Sequence, residues 1–254
     1  MSATKSPLSR LGPADSVVLA ACVGLLAGFS LIQPNVAYPP PPNFAEMPVE
    51  EKKRQFFAYL SPMISAVNFE LAAHRDRAAD LRAAHARGER LRWSDRRWLR
   101  RLAIRLEVDL DSMGLAEALQ TLYRRAGIVP ESIALVQAAI ESGWGTSRFA
   151  LEAHNYFGQR CYMSNCGIIP TERREGARFA LAEFASPHAS VESYMLNLNT
   201  HPSYREFRDL RNQRRVAGEP VTGLALIAGL TNYSVRRDEY VDQVASMIRS
   251  NNLE

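Results

Sequence analysis

Lysine is nearly missing from this 254-residue chain: Lys5, Lys52 and Lys53 supply all of it, and the remaining positive charge is arginine. The excess over acidic residues is only +4. A pI near 9.1 leaves an anionic partner open, whether nucleic acid, phospholipid or cell-wall polymer. A solvated, arginine-rich surface explains the same number more simply. No recognised nucleic-acid motif accompanies the arginines, so no nucleic-acid partner is expected. Cysteine is equally scarce, at positions 22, 161 and 166. A zinc site built on Cys161 and Cys166 would need two further ligands, and histidines 74, 85, 154, 188 and 201 show no metal spacing. Neither metal nor cofactor is expected. Internal repeats are lacking, and low complexity is confined to four consecutive prolines at 39–42.

Long apolar runs are also rare, and the one present is informative. Lys5 and Arg10 precede SVVLAACVGLLAGFSLI, the uncharged run from Ser16 to Ile32. That run is long for a signal-peptide core and short for a spanning helix. Positive charges ahead of it predict that the remainder of the chain is exported. Residues 1–37 therefore read as a signal peptide, cleaved after Ala37, or as a retained signal anchor. Export suits the cysteines, because a pair five positions apart can close a short disulfide loop in an oxidising compartment. Two free thiols are the alternative.

The chain as a whole has an ordinary globular composition, with 46% hydrophobic and 23% charged residues. The prolines make 38–49 a stiff, extended spacer. Residues 50–127 are helical in pattern and arginine-rich. Eleven arginines fall between Arg75 and Arg105, against Asp76, Asp80, Glu89 and Asp95, a pattern shared by polyanion-binding surfaces and by plain solvated helix faces. Within this region Ser61-Pro62 reads as a cap followed by proline at the first helical position. Ser94 reads as the cap of a second helix, and Gly114 to Arg125 as a third. From 128 onward, Glu131 to Glu141 forms a helix and Thr146 caps a short one through Glu152. Segments 156–169 and 178–184 suggest a small β-hairpin or ribbon. Ser186-Pro187 opens a further helix, and helices continue at 204–217, 222–230 and 238–251. The fold class predicted is mainly α (α+β), a helical domain with a small β-lobe.

Chemistry concentrates at AIESGWGTSRFA, residues 139–150. Glu141 lies four residues after Gln137 and eight after Ile133, on a face shared with an apolar residue, so partial desolvation favours its protonated form. Such an acid is what glycoside cleavage needs to protonate the leaving oxygen. Trp144 offers a flat face for a sugar ring, and Gly143 and Gly145 allow a sharp turn beside it. A plain helix stop with an exposed Glu and a core Trp fits this pattern equally well.

Four blocks in order extend the reading: AIESGWGTSRFA, NYFG at 155–158, FASPHASVESYMLNLNT at 184–200, and LTNYSVRRDEYVDQVASMI at 230–248. Together they resemble the glucosaminidases of glycoside hydrolase family 73, and more closely their Bax-like members in Gram-negative bacteria. The resemblance covers 128–254 and implies a lysozyme-like catalytic domain that hydrolyses the β-1,4 bond after N-acetylglucosamine in peptidoglycan. It implies Glu141 as general acid and Tyr233 as the group that positions substrate or water. Trp144, Asn155, Tyr156 and Phe157 would wall the groove. A second carboxylate is expected on the β-lobe, with Glu172 as the leading candidate and Glu175 and Glu183 as alternates. The segment TERREG carries two arginines there and departs from the family's longer acidic lobes. If no acid reaches the cleft, the substrate's own N-acetyl group could act instead. A catalytically weak peptidoglycan-binding scaffold and a lytic transglycosylase using the same Glu remain open. The implied location is the periplasm, anchored to the inner membrane through the N-terminal segment or secreted across it, with peptidoglycan glycan strands as partner.

Overall fold

The computed structural model describes residues 38–170 and 179–254. The expected leader at 1–37, and Glu172 and Glu175, lie outside the described residues. The chain begins with Tyr38 and the prolines laid against the protein, where Pro39 accepts a 3.2 Å hydrogen bond from the Tyr59 hydroxyl. A short 3-10 turn at Phe44–Glu46 buries Phe44 and leads into α1, Val49–Ala86.

Helix α1 is the spine of the molecule. Phe56, Leu60, Met63, Ile64, Val67 and Leu71 recur at helical spacing and are fully buried. They pack against α3 (Leu115–Arg125), α4 (Glu131–Ser142) and α6 (Pro187–Thr200). By length and composition alone α1 is apolar enough to cross a membrane, but this stripe lies at the centre of a protein core. The sequence places a helix start at Ser61-Pro62, whereas α1 runs through Pro62 without a break. Pro62 sits on the exposed face, where water can take up the missing backbone bond. Ser61 hydrogen-bonds Glu131 through its side chain rather than capping. Burial on both sides of the proline outweighs its local preference.

Helix α2 (Trp93–Arg105) folds back on α1 and buries Leu99 and Leu102. Its N-cap is Arg92 rather than Ser94. Helix α3 begins after Gly114, as expected. Arg105 ties α2 to its neighbours: it pairs with Glu70 of α1 and, at 2.7 Å, with Glu192 of α6. One continuous core runs from Phe44 to Ile248, so residues 44–126 and 128–254 share the same packing.

A short helix α5 (Arg148–Ala153) follows α4, capped by Ser147 through a bond from the Ala150 amide and not by Thr146. Three short strands form the expected β-lobe: β1 (Arg160–Cys161), β2 (Gly167–Ile168) and β3 (Ala180–Ala182). They pair antiparallel in the order β1-β3-β2, with Arg160 opposite Leu181 and Gly167 opposite Ala182. Cys161 and Cys166 are joined in a disulfide that closes the β1–β2 turn. Ser186 caps α6 and Pro187 sits at its first turn, as read from the sequence. Helix α7 (Arg205–Val216), a short α8 (Gly223–Leu226), a 3-10 stretch (Ile227–Tyr233) and α9 (Asp238–Ser250) complete a mainly helical, lysozyme-like fold with a small three-stranded β-lobe.

Candidate functional site

Helix α4 is buried along nearly its whole length and ends at Gly143, whose left-handed backbone stops it. Glu141 lies in its last turn and is accessible to solvent. Trp144 is also left-handed, at φ 58°. Its half-buried ring packs against Phe56 and Phe57 of α1, with centroids 5.7 and 5.2 Å away. Gly145 has φ 75°, and a Cβ there would stand 2.6 Å from the Phe44 ring. The spacing of the two glycines around a tryptophan thus seats the helix end on the aromatic start of α1, leaving the Glu141 side chain on the open side.

Glu141 is exposed as a residue, while its carboxyl is set among protein groups. The Tyr240 hydroxyl of α9 donates to its Oε1 at 3.0 Å. Its Oε2 faces Gly158, where a Cβ would come within 3.3 Å. Crowding strips water from the carboxylate and raises its pKa, while the Tyr240 hydrogen bond and the nearby Arg236 charge pull the other way. Burial wins, so Glu141 holds its proton to a higher pH than an ordinary glutamic acid.

Behind Glu141 the hydrogen bonds continue into the core. Gln137, one turn earlier on the same face of α4, donates through Nε2 to the Tyr240 oxygen at 3.1 Å. The Tyr194 hydroxyl of α6 donates to Gln137 Oε1 at 2.6 Å. Gln137, Tyr194 and Tyr240 are all buried, so the chain Tyr194, Gln137, Tyr240, Glu141 has a fixed direction, each hydroxyl oriented by the next. Four tyrosines (194, 204, 233 and 240) lie within electrostatic reach of Glu141, whose negative charge helps raise all their pKa values on top of the larger effect of burial. They stay neutral hydroxyls at any physiological pH.

Tyr233, singled out in the sequence, stands at the end of the 3-10 stretch. It stacks on Tyr240 at 5.5 Å and 16°, and its hydroxyl reaches the Phe157 carbonyl at 3.4 Å. Glu141 and Tyr233 therefore meet around Tyr240. Asn155, Tyr156 and Phe157 are each buried. Asn155 clamps the lobe to the helical body by donating to the Gln159 and Ala182 carbonyls at 2.8 and 2.9 Å. Tyr156 abuts Phe56, and its amide donates to the Ser190 hydroxyl. Phe157 stacks on Tyr194 at 3.9 Å. Being buried, these three side chains pack within the core. Glu183 is exposed, just past β3, its amide bonded to the Cys166 carbonyl. Among the described residues there is no grouping of three or more metal-ligating side chains.

Tyr240, Tyr194 and Gly158 were not singled out in the sequence. Gln137 carried a signal, since four residues before Glu141 means the same helix face. Tyr240 had a weaker one, lying inside the same sequence block as Tyr233.

The arrangement suits proton donation from a solvent-accessible carboxylic acid oriented by the buried, neutral Tyr240 hydroxyl. Comparison with known proteins agrees with that chemistry. The description of the glucosaminidase family, mannosyl-glycoprotein endo-beta-N-acetylglucosaminidase, matches residues 116–253, starting within α3. Protein bax of Escherichia coli (strain K12) is 33% identical over 202 residues, covering 79% of this chain and 70% of the relative. No solved structure matches significantly. By the extent of both matches, the chain belongs to the glucosaminidase family.

Proposed function

We propose that this protein is a cell-envelope hydrolase that cleaves the β-1,4 bond after N-acetylglucosamine in peptidoglycan, an endo-β-N-acetylglucosaminidase with Glu141 as general acid. The observation that carries this reading is the solvent-accessible Glu141 at the end of α4, its carboxyl held by the Tyr240 hydroxyl and its pKa raised by burial. Protonated, it gives its proton to the glycosidic oxygen as the bond to the sugar breaks and positive charge develops at the anomeric carbon. Tyr233, beside it, positions the sugar or the incoming water, and the exposed part of Trp144 stacks on a neighbouring ring.

The second carboxylate is assigned to the β-lobe, with Glu172 first, Glu175 next and Glu183 last. Glu183 is the one within the described residues, and its exposure leaves it free to take part. The Cys161–Cys166 disulfide supports an oxidising, envelope location. With it goes a leader or inner-membrane anchor at 1–37, whereas the expected spacer at 38–49 packs on α1 and the arginine-rich region at 50–127 shares one core with 128–254 instead of standing apart from a catalytic domain there.

Zymography on purified cell walls tests the proposal. A clearing band that vanishes in Glu141→Gln, with new N-acetylglucosamine reducing ends in the products, is the expected result. Anhydromuramyl ends would make the enzyme a lytic transglycosylase, and glycan binding without cleavage would make it a scaffold. Equal activity in Glu141→Gln would overturn the assignment.

A further inference from the structure

At the other end of α4 from Glu141, about 15 Å away at 1.5 Å per residue from Glu131, an open recess of about 410 Å³ lies between α1, α3 and α7. Arg75, Asp76, Tyr123 and Arg215 line it, with Ile128 and Val221 as an apolar wall. The guanidinium of Arg75 is held by its neighbour Asp76, through bonds of 3.0 and 2.8 Å. Arg82 and Arg215 both lie over the Tyr123 ring, at 4.7 and 5.6 Å from its centroid.

Arg215 is the anomaly. Both of its terminal nitrogens are shielded from water, and neither meets an acceptor in good hydrogen-bond geometry, the Tyr123 ring and hydroxyl being their nearest company. Beneath it, the fully buried Arg211 gives its terminal nitrogens to the Ile128 and Arg124 carbonyls at 2.8 and 2.9 Å, while its Nε is unpartnered. Burial, and then the charges of Arg215, Arg208 and Arg75, lower the Arg211 pKa; burial and then Arg75 lower that of Arg215, against smaller opposing effects of Tyr123 and Asp76. Four guanidinium groups thus converge where Asp76 is the carboxylate that lines the recess. Buried N–H groups of a cation left without an acceptor are costly, and a bound anion is a standard remedy.

We propose that this recess binds a small oxyanion, a carboxylate or phosphate borne on a compact, partly apolar body. Guanidinium forks match both oxyanions in geometry. Arg75 meets the anion first, a modest rotation turns the unbonded N–H groups of Arg215 onto it, and Ile128 and Val221 cover the apolar part. The site is separate from the groove at Glu141 and does not depend on the reaction proposed there.

Calorimetric titration of the purified full-length protein at constant ionic strength tests it. The probes are inorganic phosphate, N-acetylalanine, and N-acetylalanine amide, which keeps the body and lacks the charge. Saturable one-to-one binding of phosphate, of N-acetylalanine, or of both is expected, and names the oxyanion. The amide should not bind. Arg215→Gln and Arg75→Gln should each weaken binding by about tenfold or more, the loss of one charge-assisted hydrogen bond, with Glu141→Gln binding as the wild type does. Circular dichroism checks folding, and if Arg215→Gln does not fold, Arg75→Gln decides. Failure of both anions to saturate the wild type, or wild-type affinity in the folded arginine variants, overturns the proposal.

Discussion

The Tyr240 hydroxyl and the Glu141 carboxyl are bonded at 3.0 Å across 99 positions of sequence. This contact joins the last helix to the end of α4 and tempers the ionisation of Glu141. Tyr240 stabilises the carboxylate form and so restrains a pKa that burial raises.

Tyr240→Phe removes that restraint. A general acid works while protonated, so activity falls as pH rises through the Glu141 pKa. In the variant the alkaline limb of the pH–activity profile should move to higher pH. The variant also leaves the buried Gln137 Nε2 without its acceptor, which should cost about 1–3 kcal/mol of stability. Activity profiles and urea denaturation measured on the same preparation separate the two effects. An unmoved alkaline limb would deny Tyr240 its influence on Glu141.

Gly158→Ala should be damaging at the site. The new methyl would come within 3.3 Å of Glu141 Oε2 at a position with φ 63°, so it both crowds the carboxylate and strains the turn. A fall in activity of about tenfold or more is expected from a displaced acid, together with a loss of about 1 kcal/mol from the left-handed backbone. Activity assays beside thermal melts check this, and full wild-type turnover would count against the positioning of the acid by this turn.

Glu70 supplies an acid-sensitive joint away from the groove. Burial works to raise its pKa, but hydrogen bonds from His74 and Arg105, and their charges, bring it down to about 2 from an ordinary 4.5. Because the folded value is depressed, its stabilisation is complete above about pH 4.5. It is lost as pH falls from there through 2. The contribution is on the order of 3 kcal/mol. Arg105→Gln should reduce that dependence, leaving the part due to His74, and lower neutral-pH stability by a few kcal/mol, since Glu70 and Glu192 lose their shared cation. Urea titrations between pH 2 and 7 on both proteins measure it; parallel curves would refute the joint.

The disulfide should act locally. Closing so short a loop restrains the unfolded chain by about 2 kcal/mol. In a Cys161→Ser/Cys166→Ser double variant, amide exchange at 160–168 should accelerate, while Leu60, Ile64 and Leu71 in the core of α1 stay protected. Hydrogen exchange with mass spectrometry resolves the two regions. Uniform acceleration across the chain would mean that the loop supports the whole fold.

Much of this was legible in the chain because local rules decided it. Ser186-Pro187 caps a helix wherever it stands, and Gly143 stops α4 as glycines do. Glu141 stood out because its helix face and the glycines after it are short-range facts. Pro62 misled, because a local start signal was overridden by apolar residues on both sides of it that pack against α3, α4 and α6. For Trp144 the sequence left a sugar platform and a core residue equally open, and the structure shows its half-buried ring packed on Phe56 and Phe57, residues almost ninety positions earlier. Tyr240 and Tyr194 were hidden for the same reason: no spacing rule connects α4 to α6 or α9, and only the packed structure brings their hydroxyls to Gln137.

Phe44 and Phe56 have one more consequence, for how the protein can be cut. The family match starts at 116, but the turn beside Glu141 rests on rings contributed by residues 44–57. An excised fragment of 116–253 would bare the apolar surfaces of α3, α4 and α6 that α1 covers. Such a fragment is expected to aggregate on expression, and supplying residues 38–90 as a separate chain should restore its solubility. The smallest self-sufficient version of this fold therefore begins near the prolines.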